Sequence, residues 1–86
     1  MKIRYYSIRD ARVGFMNLQA QQNDQVAARG FRNLLESPDR NAINTNPEDY
    51  SMYFIGELDE STGHFESPQE PKFICNALSF PRVPNE

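Results

Sequence analysis

A single cysteine, Cys75, stands among 86 residues and leaves no partner for an internal disulfide. Secreted domains this short usually carry several bridges, so the chain reads as a protein of a reducing compartment. One histidine, His64, and four scattered glycines supply neither a His/Cys metal set nor a phosphate-cradling glycine loop. No apolar run approaches the roughly 20 residues of a membrane-spanning helix. The opening MKIRYYSIRD has a basic start but no apolar signal core, so a soluble, cytosolic protein with no membrane partner is expected. Tryptophan is missing, yet six Phe and four Tyr remain, enough for a packed core rather than a disordered chain. At this length the chain is one domain with a thin core, burying about two-thirds of its unfolded surface.

The net charge of −3 conceals an asymmetry. Residues 1–40 hold seven Lys/Arg (Lys2, Arg4, Arg9, Arg12, Arg29, Arg32, Arg40) against four acids, whereas residues 41–86 hold two against eight. Such polarity fits a binding face or head-to-tail self-association, and argues against the uniformly basic surface of a DNA-coating protein.

KIRYYSIRD reads as a first strand, aromatic and β-branched, with apolar groups on both faces, so each face is at least partly covered by a helix or a partner. Residues 10–22 show no clean period and read as a long connecting loop around Gly14. NDQVAARGFRNLLESP is the clearest helix. Asn23 caps it, Asp24 complements its dipole, and Val26, Ala27, Gly30, Phe31, Leu34 and Leu35 form one apolar stripe. Pro38 disfavours a helical Ser37 and ends it. Gly30 on the stripe is expected to let the helix approach the sheet closely. DRNAINTNPED is a polar linker, YSMYFIGEL a second strand, and DESTGHFE a turn with Gly63 at positive φ leading into a third strand. KFICNALSF resumes that strand or makes a fourth. The expected class is α+β: a three- or four-stranded sheet with one helix packed on one face, in β-α-β-β order. A single domain spans 1–78, and 79–86 is an extended Pro-containing tail.

NPEDYSMYFIGELDESTGHFE gathers six acids and the only histidine. Glu57, Asp59, Glu60 and Glu66 invite an acid–base or metal reading, but hairpin charges point to water in any case, and the spacing offers no convergent geometry. Cys75 lies in an apolar run and reads as a small buried hydrophobe; His64 is its only conceivable base. No nucleophile elbow is present. No catalytic residue, metal site or cofactor is expected, and the protein is read as a non-enzyme. The set Lys2, Arg4, Tyr5, Tyr6, Arg9, Arg12 and Phe15 mixes cations with flat rings within fifteen residues, and Arg29 and Arg32 extend it if they face the same way. Single-stranded nucleic acid is recognised by this combination; the competing reading is that the rings are core and the arginines a solvated rim.

With those residues in place, the chain resembles the small non-structural protein of gokushovirus-type microviruses, phages with circular single-stranded DNA. The resemblance is carried by YYSIRDARVGF, NDQVAARGFRNLL, NTNPEDYSMYFIGELDESTGHFE and PQEPKFICNA, over roughly residues 3–76. It departs in the loop NLQAQQ and in the tail. It implies a protein of the host-cell cytoplasm, not a mature virion component, linked to viral DNA replication or single-strand production. It carries over no catalytic residue. The leading expectation is therefore a non-enzymatic accessory factor that binds single-stranded DNA, with Arg4, Arg9 and Arg12 on phosphates, Tyr5, Tyr6 and Phe15 under bases, and a steep salt dependence. The alternative is a protein-interaction or oligomerisation module, a homo-oligomer or an adaptor for a viral or host replication protein.

Overall fold

Five strands form one antiparallel sheet in the computed structural model, which describes residues 1–79. β1 (Lys2–Asp10) lies between β2 (Gly14–Gln21) and β3 (Tyr50–Asp59), and the far side of β3 pairs with β4 (Phe65–Glu66) at one end and β5 (Lys72–Asn76) at the other. The expected α+β class is what the structure shows. The tail expectation lies almost wholly outside the described residues.

Two elements depart from the expected order, a strand before the helix and a short helix in the polar linker. Residues 14–21 form a strand, hairpinned onto β1 through the turn at Asp10–Gly14, where Gly14 takes φ +119°. Most of β2 is exposed on both faces, so no alternation marks it in the sequence. Its strand state comes from pairing with β1. β1 and β3, the strands expected before and after the helix, pair antiparallel.

Helix α1 (Asp24–Glu36) begins where the Asn23 side chain accepts the Val26 N–H at 2.8 Å, and it ends at Ser37 before Pro38. Ala27 and Phe31, one turn apart, are its fully buried contacts. They pack with Tyr6, Ile8, Tyr50, Met52, Phe54 and Cys75 in the single core. Gly30 is not the point of close approach, since a Cβ there would meet only the Gln21 amide at 3.9 Å. The polar linker holds a short helix, α2 (Ala42–Thr45). Asn41 caps it by accepting the Asn44 N–H at 2.8 Å, while the Asn44 side chain accepts the Asn41 N–H at 2.9 Å. This reciprocal cap lets so short a helix deliver Ile43 to the core.

Candidate nucleic-acid interface

Successive strand residues point to opposite faces, and cross-strand partners share a face. β1 therefore splits the predicted cluster. Arg4, Tyr6 and Ile8 look toward α1; Ile3, Tyr5, Ser7 and Arg9 look toward the other side of the sheet.

On the helix side, Tyr6 is 0 % exposed. The Arg4 Nε donates to the Tyr6 hydroxyl at 2.8 Å, and that hydroxyl donates in turn to Asp24 Oδ1. Arg4 also reaches Asp24 at 2.9 Å and Glu57 at 3.0 Å, with its guanidinium 4.1 Å from the centroid of the Phe54 ring. The Tyr6 hydrogen bond and Asp24 hold Arg4 firmly charged. Burial pushes the Tyr6 hydroxyl upward, and the Tyr6 hydrogen bond, with Arg4 beside it, holds the Asp24 carboxyl below the usual carboxylate range. This network ties the first turn of α1 to β1 and β3. A base has no access to the Tyr6 ring, and phosphate would have to displace two carboxylates to reach Arg4.

The other predicted cations divide. Arg12 pairs with Asp49 at 3.3 Å, and Lys2 lies 3.9 Å from Glu66. Arg32 pairs with Glu36 at 3.1 Å, and Arg29 is exposed beside it on the helix, on the covered side of the sheet. Arg9 is exposed between Phe15 of β2 and Ser51 of β3. The structure does not bring the nine predicted residues together. It leaves Tyr5, Arg9 and Phe15 on one face.

That face carries no helix among the described residues. Phe15, Tyr53 and Phe73 form a row across β2, β1, β3 and β5, with centroids 5.4 Å and 5.7 Å apart and rings tilted edge to face at 77° and 76°. Phe15 and Phe73 are 48 % and 51 % exposed. Tyr5 and Phe65 make a second pair, 6.1 Å apart. Phe15 and Tyr53 come from strands separated by β1, about 10 Å apart along the sheet. Their rings close over Ser7, which is 1 % exposed and donates its hydroxyl to the Met16 carbonyl at 2.8 Å. Only a small side chain fits there. Tyr53, Phe65, Phe73 and Ser7 escape the sequence reading because three one-residue bulges reset which side chains share a face. They fall opposite Tyr5/Tyr6 in β3, between Ser7 and Arg9 in the β1–β2 register, and after Met52 in the β3–β5 register. The bulge at Ile55 turns Gly56 to the open face, where the Phe65 ring lies on its backbone.

The acidic segment is a hairpin turn. Asp59 Oδ1 accepts from the Ser61 N–H at 2.9 Å and the Ser61 hydroxyl at 2.7 Å; these bonds hold its carboxyl low. Gly63 sits at φ +79°. Glu57 and Glu66 stand opposite one another, and Arg4 and Lys2 relieve the repulsion. His64 follows this turn beyond the Asp59 end of β3, whereas Cys75 pairs with Met52, about 20 Å away at strand rise. Burial pushes the Cys75 thiol up to about 11. Among the described residues no three His, Cys, Asp or Glu converge on a metal-sized space, and no helix is long and apolar enough to cross a membrane.

A family model described as Phage ORF5 protein matches residues 3–80 of the chain. No curated protein and no solved structure matches it.

Proposed function

The chain belongs to the Phage ORF5 protein family and is a bacteriophage protein, and we propose that it is a non-enzymatic accessory factor that binds single-stranded DNA on the open face of its sheet during viral DNA replication or single-strand production. The phages in question are gokushovirus-type microviruses, and the protein works in the cytoplasm of the infected host. One observation carries this reading: the ring row Phe15–Tyr53–Phe73, half-exposed at both ends, on a sheet face with no helix over it among the described residues, flanked by Arg9. Unstacked bases lie on such rings whatever their sequence, each for about 1–3 kcal/mol. The interface is thus Tyr5, Arg9 and Phe15 of the expected set, joined by Tyr53, Phe65 and Phe73. With Arg4 held between two carboxylates, and Arg12 and Lys2 each beside one, stacking outweighs phosphate contact, and the salt dependence is shallow rather than steep.

Fluorescence anisotropy on a labelled oligothymidylate tests it. Phe15→Ala and Tyr53→Ala should each weaken binding by about 5- to 150-fold. Arg9→Gln should flatten the salt slope by about 0.7. Tyr6→Phe, on the covered side, should leave affinity unchanged. No saturable binding with ~100 μM protein, the weak end of the non-specific range of dissociation constants, would refute the proposal. The second reading, a surface for a viral or host replication protein, draws on the same exposed Phe15, Leu18 and Phe73. It would stand if the rings proved indispensable in infected cells while DNA binding was absent.

A further inference from the structure

We propose that β2 pairs edge to edge with β2 of a second copy of this chain, antiparallel about a two-fold axis at Leu18, to give one continuous ten-stranded sheet. Sheet edges are normally blunted by charge, proline or brevity. The far edge of this sheet is blunted in all these ways: β4 has two residues, and β5 begins with Lys72 directly after Pro71. β2 is eight residues long, holds no proline, and lies in an uncharged stretch from Val13 to Asn23. Its only partner among the described residues is β1, and its one guard is the bulge near Met16. It also exposes Phe15, Met16 and Leu18, each at 48–54 %.

A second copy fits this edge because the stretch is uncharged throughout, so no like charges meet when it pairs with itself. An antiparallel two-fold at Leu18 sets Asn17 opposite Gln19, Met16 opposite Ala20 and Phe15 opposite Gln21, all within β2. A two-fold normal to the sheet keeps both open faces on one side, so the two ring rows become a single surface. The dimer stands on the edge alone. If the DNA reading holds, the dimer doubles the length of strand that one particle engages.

Light scattering after size exclusion, without DNA, reads the mass. The wild-type chain of 10.0 kDa should run at twice that value at micromolar concentration. L18K and L18D should each run as monomers, since like charges meet at the two-fold. Their equimolar mixture should return to the dimer mass, which separates a broken interface from a misfolded chain. A wild-type mass of 10.0 kDa up to 100 μM, a dimer that L18K leaves intact, or a mixture that stays monomeric overturns the proposal.

Discussion

Replacing Gly56 by alanine should destabilise the protein by about 2 kcal/mol, and the geometry shows two routes to that figure. A Cβ at Gly56 would sit 2.6 Å from the Glu66 carbonyl oxygen and 2.7 Å from two carbons of the Phe65 ring. Non-bonded carbons settle at roughly 3.5–4.0 Å, so β4 must retreat by about 1 Å. If the sheet absorbs the strain, overpacking of this kind costs about 1–3 kcal/mol. If β4 detaches instead, the loss is the burial of Phe65. That ring is 46 % exposed, so about half of its roughly 200 Å² is buried, some 2.5 kcal/mol at about 25 cal/mol per Å². The cheaper route sets the outcome, and the two nearly coincide. Urea unfolding followed by circular dichroism should show the midpoint falling by about 2 M for a slope near 1 kcal/mol/M. Amide exchange should quicken first at residues 64–66. Gly63→Ala is the control: nothing lies within 4 Å of its Cβ, and φ is +79°, so it should cost only the roughly 1–2 kcal/mol of left-handed backbone and leave Phe65 in place. A Gly56→Ala protein within 0.5 kcal/mol of wild type, about the size of an ordinary surface substitution, would refute the packing of β4 described above.

Two further outcomes follow from the Asp24 network and from buried Ser7. The folded-state pKa of Asp24 lies below its ordinary value of 3.8, so its contribution is complete above that value and fades as the pH falls through the depressed one; acid unfolding of Asp24→Asn should lack that component, and an unchanged acid profile would contradict the Arg4–Tyr6–Asp24 network. Ser7→Leu forces a branched side chain under the Phe15–Tyr53 pair, and should lower stability by about 1–3 kcal/mol in thermal or urea unfolding; a neutral result would mean the rings do not close over Ser7.

Much of the architecture was legible. The cap at Asn23, the stripe through Ala27 and Phe31, and the stop at Pro38 are local signals, and α1 obeys all three. The Asp59–Gly63 turn is equally local, because a carboxylate that binds its own backbone and a glycine at positive φ need no distant partner. β2 was not legible. GFMNLQAQ lies at an edge with little buried on either face, so its residues were never selected to alternate. The candidate site was half legible. Tyr5, Arg9 and Phe15 are on the open face, but their neighbours Tyr53 and Phe73 come from strands 38 residues or more further along the chain.

The amino-acid order by itself determined where the helix starts and stops, where the hairpin turns, and that cations and rings crowd the opening third. Each of those depends on side chains within a few residues of one another. Tertiary structure alone decided which rings meet water and which cations are spent. Tyr5 and Tyr6 are adjacent and alike, and pleating sends one to each face, but only the packing of α1 on one side buries Tyr6 and leaves Tyr5 on the open face. Arg4 is neutralised by carboxylates 20 and 53 residues away. A single inserted residue reverses the facing of everything beyond it, and charge pairing acts through space, so neither can be read from spacing along the chain.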